Sequence, residues 1–414
     1  MTPGYKQTDA GVIPDDWELK QLGELSSVSA GGTPSRSNAN YWGGDIPWIT
    51  TTEIDFRLIT ESEQFITSIG LKNSAAKLMP AGALLMALYG QGKTRGKVGV
   101  LGFEAATNQA CAAIILKEGY SREYAFHYLA SRYDEIRKLS NTGNQENLNG
   151  ALVRSIPVLL PPLSEQFAIA TALSDVDALL SSLDALIAKK RDIKQAAMQQ
   201  LLTGKTRLPG FGGAWVTQKL GDVATLKARI GWQGLTTAEY LDAGDYYLVT
   251  GTDLTNGRID WEHCHYVTQS RYNQDQYIQI RPRDVLVTKD GTIGKVALVD
   301  KLDRPATLNS GVFVIRPKND GFEPEFFYFL LMSRAFDEFL SQLSAGSTIN
   351  HLYQKDFVGF TYQLPLMKEE QIAIAKILSD IDAELSTLET QRKKTKLLKQ
   401  GMMQELLTGK TRLV

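Results

Sequence analysis

The sequence predicts an α/β fold in which two mixed α/β domains are joined by two long antiparallel helices that form a coiled coil. Three observations support this prediction: a long repeat at a fixed offset, a heptad pattern inside the repeat, and short β-like runs between its copies. The chain has 414 residues, of which 43% are hydrophobic and 22% charged. This composition is ordinary for a globular protein, and the length exceeds what one compact core usually holds.

The repeat lies at an offset of 205 residues, where E165-Q-x-A-I-A-x-x-L-S-D-x-D-A reappears from Glu370. Both copies end in L-L-T-G-K-T-R-L. Between 164–208 and 369–413, 26 of 45 aligned residues are identical without a gap. A match of this length is far beyond coincidence, so we expect both copies to have the same structural role.

Inside the repeat, apolar residues are spaced 4-3-4-3, which is the heptad pattern of helices that pair. The predicted pairing seam consists of Ile169, Leu173, Val176, Leu180 and Leu183 together with Ile374, Leu378, Ile381, Leu385 and Leu388. Ser164 is the expected N-cap of the first helix, and Gly204 and Gly409 stand where the helices should end. An amphipathic core helix is the alternative interpretation, but a seam this long, present twice, favours pairing.

The repeat divides the chain into a first domain (1–162), a long helix (163–208), a second domain (209–366) and another long helix (367–414). Gly96-Lys97-Val98 matches Gly294-Lys295-Val296, which relates the two domains, and the runs A-L-L-M-A-L-Y and D-V-L-V-T-K-D predict strands. If the chain enters and leaves the second domain at nearby points, the second helix must run back along the first. The sequence thus predicts antiparallel helices and pseudo-two-fold symmetry.

Composition also excludes several classes of protein. The two cysteines, Cys111 and Cys264, form no C-x-x-C pair, which argues against a disulfide framework and a cysteine zinc site. No apolar run reaches the roughly 18 residues of a membrane span, so we expect a cytoplasmic protein. The formal net charge of −1 argues against a general polyanion binder. Any nucleic-acid surface must therefore be local.

One such local surface is indicated between Gln64 and Phe103, where there are five basic residues and no acidic one. It ends in G90-Q-G-K-T-R-G-K, a loop rich in glycine and in hydrogen-bond donors that could approach a phosphate or a base edge. K289-D-G-T-I-G-K is its counterpart in the second domain, and the polar loops G143-N-Q-E-N and G346-S-T-I-N-H also match. Solvated turns are the alternative interpretation of all four loops.

The order of segments, a domain, a long helix, a second domain and a second long helix, resembles that of the specificity subunit of type I restriction-modification systems. The resemblance extends over the whole chain. I13-P-D-D-W-x-x-x-x-L-G and G31-G-T-P-S…Y41-W-G-G-D-I-P-W-I-T resemble the first target-recognition domain of that family, and R229-I-G-W-Q-G and K289-D-G-T-I-G-K resemble the second. Each motif alone is weak, whereas their order is highly specific.

The resemblance implies a DNA-binding subunit without catalytic residues, in which each recognition domain reads one half of a bipartite asymmetric target and the helices set the gap. Its implied partners are double-stranded DNA, two modification (methyltransferase) subunits and restriction (endonuclease/translocase) subunits. It implies no cofactor of its own: S-adenosylmethionine belongs to the modification subunit, and ATP and Mg to the restriction subunit. The alternative is a coiled-coil scaffold that holds other proteins rather than DNA.

Charge, polarity and the resemblance together give a set of candidate DNA-binding residues. They are Thr33, Ser35, Arg36, Gln91, Lys93, Thr94, Arg95, Lys97, Asn144 and Gln145 in the first domain, and Lys227, Arg229, Trp232, Gln233, Lys289, Thr292, Lys295, Ser347 and Asn350 in the second.

Enzymatic alternatives find little support in the sequence. P14-D-D-W-E-L-K resembles a nuclease motif, but Asp15 and Glu18 are too close in sequence to lie on two strands. The three G-K-T runs lack the glycine that a phosphate-binding loop needs five positions earlier. Pro161-Pro162 lies between leucines and does not form the base-gripping motif of a methyltransferase. We therefore predict a chain without catalytic or metal-binding residues.

Overall fold

The computed structural model describes residues 4–90, 92–139, 147–230, 234–344 and 351–413. The chain divides into two compact units, which we call unit 1 (Met1–Asp184 with Thr390–Val414) and unit 2 (Ala185–Glu389). Each unit contains a mixed α/β domain and part of each long helix. Within the described ranges, no helix is both long enough and apolar enough to cross a membrane.

Strands predominate in the domain of unit 1. Its strands are β1 (Tyr5–Thr8), β2 (Gly11–Pro14), β3 (Glu18–Gln21), β4 (Ser26–Ala30), β5 (Trp42–Ile49), β6 (Leu58–Ile59), β7 (Phe65–Ile66), β8 (Leu78–Met79), β9 (Leu84–Ala87), β10 (Val98–Leu101), β11 (Ala105–Thr107), β12 (Cys111–Leu116) and β13 (Pro157–Leu160). Its helices are α1 (Leu22–Leu25), α2 (Ser68–Lys72), α3 (Arg122–Ser131), α4 (Tyr133–Lys138) and α5 (Gly150–Arg154), and the first long helix, α6 (Leu163–Leu201), follows.

Two sheets form the centre of unit 1. One has the strand order β4-β12-β9-β10-β6 and the other β7-β5-β11-β8. Strand β9 is buried on both faces: Leu84 and Met86 lie in a core with α3 and α6, whereas Leu85 and Ala87 lie in a second core. This is the alternation expected when successive side chains of a strand point to opposite faces. The strand predicted from A-L-L-M-A-L-Y is confirmed as the middle of the larger sheet.

Unit 2 repeats this plan with fewer strands. Its strands are β14 (Trp215–Lys219), β15 (Ala224–Lys227), β16 (Tyr246–Val249), β17 (Leu254–Thr255), β18 (Arg258–Ile259), β19 (His265–Val267), β20 (Val285–Thr288), β21 (Val296–Leu298), β22 (Ala306–Leu308), β23 (Val312–Pro317) and β24 (Thr361–Pro365). Its helices are α7 (Leu220–Val223), α8 (Gln269–Asn273), α9 (Pro324–Leu331), α10 (Arg334–Leu343) and α11 (Gln354–Phe357), and the second long helix, α12 (Lys368–Leu406), follows.

The sheets of unit 2 have the orders β15-β23-β20-β21 and β19-β16-β22. They correspond to β4-β12-β9-β10 and β7-β5-β11 of unit 1. In β20, Val285 and Val287 lie in a core with the phenylalanines of α9, and Leu286 lies in the core on the opposite face. The repeat that is weak in the sequence of the two domains is therefore clear in their strand order.

The two long helices have the same length, 39 residues each. Helix α6 begins at Leu163, one residue before the expected N-cap Ser164. The prediction for Ser164 is wrong because the carbonyl oxygen of Pro162 accepts the first helical hydrogen bond, from Gln166 N at 3.0 Å. Gly204 and Gly409 follow the helix ends with φ of +67° and +72°, as predicted for residues that terminate helices.

In unit 1, the described parts of α6 and α12 run antiparallel. Asp177 pairs with Lys399 at 2.6 Å, and Asp184 pairs with Arg392. A higher residue number on one helix thus meets a lower number on the other. The seam residues Ile169 and Leu173 are fully buried in one core with Leu406 and Leu407.

The same arrangement occurs in unit 2, where Lys194 pairs with Asp382 at 2.6 Å and Arg191 with Glu389 at 2.6 Å. Ile374 and Leu378 lie in one core with Leu201 and Leu202. The predicted antiparallel pairing is therefore confirmed within each unit. Of the remaining seam residues, Leu183 and Leu385 are buried, and the following four are half-buried: Val176, Leu180, Ile381 and Leu388.

The residues conserved between the two repeat copies clamp the helix ends. At the start of α6, Glu165 is buried and binds Arg412, 2.7 Å away, from the tail after α12. In unit 2, Glu370 at the start of α12 is buried and binds Arg207, 2.6 Å away, from the tail after α6. The E-Q and T-G-K-T-R motifs are therefore the two halves of one contact, which the chain forms once in each unit.

The glutamines of the E-Q motifs tie each helix to its domain. Gln166 Oε1 accepts a hydrogen bond from Ser121 N, which precedes α3, at 3.0 Å. Gln371 Oε1 accepts the equivalent bond from Glu323 N, which precedes α9, at 2.8 Å. The helices are thus fixed to the domains by buried polar contacts as well as by apolar packing.

Candidate nucleic-acid interface

In each unit, the carboxyl ends of two parallel strands meet at one edge, which we call the strand-end edge. In unit 1 these strands are β5 and β11, and Asn108 N donates a hydrogen bond to Ile49 O at 3.0 Å. In unit 2 they are β16 and β22, and Asn309 N donates to Val249 O at 2.9 Å. The loops that leave all four strands therefore start from equivalent positions.

The predicted basic loops lie at this edge. They are the β9–β10 turn (88–97) in unit 1 and the β20–β21 turn (289–295) in unit 2. Leu88 N donates a hydrogen bond to Ala110 O at 2.8 Å, and Lys289 N donates to Gly311 O at 2.9 Å. Each turn is thus attached to the segment that follows the asparagine of the strand-end edge.

The segments that follow the predicted polar loops return to the same place. Leu148 N donates a hydrogen bond to Leu88 O at 2.9 Å, and Leu352 N donates to Lys289 O at 2.8 Å. In each unit, the segment that follows the predicted polar loop therefore contacts the start of the basic turn. The following candidates lie outside the described residues: Gln91, Asn144, Gln145, Trp232, Gln233, Ser347 and Asn350.

The glycine-rich segment 31–36 reaches the strand-end edge of unit 1. Gly32 N donates a hydrogen bond to Thr107 O at 2.8 Å, and Thr33 Oγ1 is hydrogen-bonded to Gln109 Oε1. A Cβ atom on Gly31 would lie 2.1 Å from Thr107 O, so only glycine permits this approach. Thr33 is half-buried, whereas Ser35 and Arg36 are exposed.

The basic side chains of the 88–97 turn differ in their environments. Lys93 is exposed, and Thr94 is half-buried. Arg95 is only 7% exposed, and its Nη2 donates a hydrogen bond to Arg137 O at 3.1 Å. Lys97 forms an ion pair with Asp55 at 2.7 Å. Among the described basic residues of this turn, Lys93 is therefore the one whose side chain is exposed to an approaching phosphate.

The candidates of unit 2 divide in the same way. Lys227 is exposed, and its ammonium group lies 5.2 Å from the ring centroid of Tyr277. Arg229 is only 2% exposed, and its Nε donates a hydrogen bond to Leu308 O at 2.9 Å. Burial lowers the pKa of this guanidinium below its usual value. Direct contact of Arg229 with DNA would require it to leave this buried position.

The β20–β21 turn is stabilised by its own side chains. Thr288 Oγ1 donates a hydrogen bond to Thr292 O and accepts one from Lys295 N at 2.9 Å. Lys289 lies 3.5 Å from Asp290, and Lys295 Nζ lies 3.5 Å from Gly251 O. The side chain of Thr292 is exposed at the tip of the turn.

Sequence reasoning missed a pair of threonine turns at the strand-end edge. Thr50 Oγ1 lies 2.7 Å from Thr52 Oγ1 after β5, and Thr250 Oγ1 lies 2.7 Å from Thr252 Oγ1 after β16. Thr52 and Thr252 are exposed, and Lys295 contacts the second turn. The signal in the sequence was present but short: T-T-T-E at 50–53 and T-G-T-D at 250–253.

Both edges carry hydroxyl groups, amides and basic groups, which are the side chains that contact phosphates and base edges in DNA. Among the described residues, no group of three or more histidine, cysteine, aspartate or glutamate side chains is placed to hold a metal ion.

The sequence matches a known family model and known proteins. The sequence model of the type I restriction modification DNA specificity domain matches residues 14–190 and 213–399. The putative type I restriction enzyme MjaX specificity subunit of Methanocaldococcus jannaschii is 24% identical, with 99% of this chain and 96% of that protein covered. The MjaIX specificity subunit of the same organism is 31% identical over 186 residues, which cover 43% of this chain and 42% of that protein.

Among solved structures, the crystal structure of the type I restriction-modification system S subunit from M. genitalium superimposes with a TM-score of 0.65. The alignment covers 98% of this chain and 99% of that chain at 16% sequence identity, so it bears on the fold alone. Each of the two matched segments contains the residues of one strand-end edge. The chain therefore belongs to the family of proteins that carry the type I restriction modification DNA specificity domain, of which it has two copies.

Proposed function

We propose that this chain is the specificity subunit of a type I restriction-modification complex, and that each unit reads one half of a bipartite asymmetric DNA target. The observation that carries the proposal is the strand-end edge, which is built twice from equivalent hydrogen bonds. The turns at the two edges have different sequences, G90-Q-G-K-T-R-G-K and K289-D-G-T-I-G-K. Two similar supports with different surface residues suit the reading of two different half-sites.

In this proposal, the accessible candidates contact DNA directly, and the buried ones support the loops. Lys93 and Lys227 are exposed, and we assign them to phosphate or base contacts. Arg95 and Arg229 are buried against backbone carbonyl groups, and we assign them to holding the loops in place. The second group would affect DNA binding through loop geometry rather than through charge.

We also propose that the long helices dock two modification subunits, which restriction subunits join, and that the helices set the spacing between the half-sites. Apolar residues exposed on the helices support the docking role. In unit 1, Phe167 is 53% exposed, and Leu397 and Leu398 are each 59% exposed; in unit 2, Ile372 is 48% exposed. These side chains are available for contact with a partner protein.

The chain itself would be non-catalytic and would act in the cytoplasm, where the DNA is. S-adenosylmethionine would bind to the modification subunit, and ATP and Mg to the restriction subunit. The specificity subunit would thereby direct adenine methylation or restriction to its target.

The experiment is to purify the chain alone and together with its modification subunit, and to supply DNA and S-adenosylmethionine. We expect no methyl transfer and no cleavage by the chain alone, and methylation of adenines within one bipartite sequence by the complex. Sequencing of methylated adenines in a host that carries the system identifies the target. Methyl transfer by the isolated chain would refute the proposal, and a complex that forms but shows no DNA preference would favour the scaffold alternative.

Site variants test the assignment of the edges. Replacement of Lys93 or Lys227 by alanine should lower the affinity of the complex for target DNA and reduce the dependence of binding on salt by about one phosphate contact each. Lys301→Ala is the matched control. Lys301 is exposed and follows β21, whereas the β20–β21 turn precedes this strand, so Lys301 lies at the other end of β21. Equal effects of all three substitutions would mean that the edges do not face DNA.

A further inference from the structure

Arg36 occupies an unusual position at the strand-end edge of unit 1. Its side chain is exposed, and its guanidinium carbon lies 3.8 Å from the ring centroid of Trp42 and 4.9 Å from that of Trp48. The two indole rings pack edge to face, with centroids 5.0 Å apart. A guanidinium at this distance from an aromatic face is held by cation–π attraction and stacking.

The platform below Arg36 is itself fixed. Trp48 is buried, and its Nε1 donates a hydrogen bond to Gly32 O at 2.9 Å. Trp42 Nε1 donates to Ser35 O at 3.1 Å. The indoles that support the guanidinium thus also hold the segment that carries Arg36. The plane of the guanidinium is therefore largely set before any ligand arrives.

Within the described part of the chain, no hydrogen bond or ion pair involves the Arg36 guanidinium, and its contacts are with the indole rings. Stacking occupies one face of the group and leaves its N–H edge for an acceptor. A pair of coplanar acceptors fits this edge best, and O6 and N7 of guanine form such a pair in the major groove.

A phosphate is the other acceptor that arginine commonly binds. The sequence of the segment that carries Arg36 does not favour it: Arg36 is the sole basic residue between Gln21 and Phe56, and four residues there are acidic, namely Glu24, Asp45, Glu53 and Asp55. Contacts to the DNA backbone usually come from clusters of basic groups, since their binding depends on neutralising several phosphates. A single arginine held in a fixed plane is better suited to reading a base.

We propose that Arg36 is a specificity-determining residue that reads one guanine, through O6 and N7, in the half-site bound by unit 1. This inference rests on the proposed function, because it requires that unit 1 binds DNA. It adds one base of stated identity and the residue that selects it.

The test uses the full complex with its modification subunit, after methylated-adenine sequencing has given the target of the wild type. Arg36→Ala and Arg36→Lys are compared on DNAs in which each base pair of the target is changed in turn. Both variants should lose roughly 5- to 150-fold of the discrimination at one G·C pair of one half-site, which corresponds to one good bidentate contact. The preference at every other position should persist.

Trp42→Phe keeps an aromatic ring but removes the indole N–H that donates to Ser35. It should reduce discrimination at the same G·C pair by a smaller factor than Arg36→Ala does. Arg122→Ala is the matched control in unit 1. Arg122 Nη1 lies beside Gly82, which precedes β9, whereas the 88–97 turn follows β9 at the other end of the strand. Arg122→Ala should leave every base preference unchanged.

Two results would overturn the inference. One is an unchanged base preference in Arg36→Ala. The other is uniform weakening on all DNAs that Arg36→Lys restores, which would identify a phosphate contact. Both results can occur while the wild-type complex still methylates a defined bipartite sequence, so they are distinguishable from failure of the proposed function. If the wild-type complex shows no target at all, the proposed function fails together with this inference.

Discussion

His127 shows how one residue distinguishes the two otherwise similar units. It lies buried on α3, with Nε2 3.1 Å from Ser174 Oγ of α6, next to the Asp177–Lys399 ion pair. In unit 2, Phe329 of α9 lies beside the equivalent pair, with its ring centroid 5.6 Å from Lys194 Nζ. Unit 1 thus has a titratable group where unit 2 has an apolar one.

Burial, helped by the nearby Lys399, lowers the pKa of His127 to about 4, although Asp177 and Glu123 act in the opposite direction. The unfolded chain, in which the pKa of histidine is about 6.5, therefore binds more protons than the folded chain between pH 6.5 and 4. The contribution of neutral His127 to stability is complete above pH 6.5 and is lost as the pH falls through this window. By pH 4 the loss amounts to roughly 3 kcal/mol.

His127→Phe, which copies unit 2, should remove this dependence. We expect the free energy of unfolding of the variant, relative to the wild type, to rise by about 3 kcal/mol between pH 7 and pH 4. Urea unfolding of the full chain at several pH values measures it. His263→Gln is the control, because the side chain of His263 is 78% exposed. An identical pH profile for His127→Phe and the wild type would contradict the prediction.

Single residues also show where sequence reasoning stops. The basic turn of unit 1 was recognisable because it ends a stretch, from Gln64 to Phe103, with five basic residues and no acidic one. The direction of each side chain could not be predicted. Arg95 and Arg229 are buried because they donate hydrogen bonds to the carbonyl oxygens of Arg137 and Leu308, which are distant in sequence. The threonine turns were missed because a repeat of four residues is too short to stand out. A charge pattern in the sequence therefore predicts where a basic surface lies, but not which of its side chains are exposed.

At the scale of elements, the long helices could be predicted well and the sheets less so. Heptad spacing is a local signal, and it gave the pairing before any contact was known. The parallel pairing of β5 with β11 and of β16 with β22 brings together strands more than 50 residues apart. No periodicity within either strand specifies its neighbour. The sequence therefore identified the loops of the strand-end edge, but it did not predict that they meet at one edge.

The clamp between Glu165 and Arg412 is the element-scale contact with the clearest consequence for stability. Burial alone would raise the pKa of Glu165, but hydrogen bonds from Arg412, Trp17 and Leu413 N outweigh it and lower the pKa. A lowered pKa means that the pair contributes stability above about pH 4.3, the usual value for glutamate, and loses it as the pH falls below that value.

Arg412→Met should destabilise unit 1 by roughly 1–3 kcal/mol at neutral pH, because it leaves a buried carboxylate without its cation. The difference from the wild type should shrink as the pH falls, because Glu165 of the variant, which lacks its cation, becomes protonated at a higher pH than Glu165 of the wild type. Arg122→Met is the control, since the Arg122–Glu123 pair lies at the surface and such pairs contribute little. Thermal unfolding over this pH range measures all three proteins, and equal stability of Arg412→Met and the wild type would count against the clamp.

At the scale of the whole molecule, the repeat in the sequence and the compact units do not coincide. In sequence, each copy is a domain followed by a helix, whereas each unit combines one domain with parts of both helices. Helix α6 contributes its start to unit 1 and its end to unit 2, and α12 does the reverse. Both helices continue without a break through the residues at which the units divide. Their length is therefore the quantity to change in a test of the proposed spacing role.

The ion pairs define how such a change must be made. Asp184 of α6 pairs with Arg392 of α12, so an insertion between Leu183 and Asp184 must be matched by one between Arg392 and Lys393. A copy of one heptad in each helix keeps the seam in phase and leaves every existing pair on its own side. Each helix then gains about 10.5 Å at 1.5 Å per residue. On DNA this length corresponds to about three base pairs.

If the helices set the spacing, the double-heptad variant should methylate both half-sites of the wild-type target with about three more unspecified base pairs between them. Three base pairs also rotate one half-site by roughly 100° about the DNA axis, at 10.5 base pairs per turn. The rate of methylation should therefore fall even where the new spacing is accepted. An insertion of four residues in α6 alone is the matched control, because it shifts the seam and separates the ion pairs on one side. Methylated-adenine sequencing of hosts that carry each variant reads the result. Retention of the wild-type gap by a double-heptad variant that still folds and methylates would show that something other than helix length measures the target.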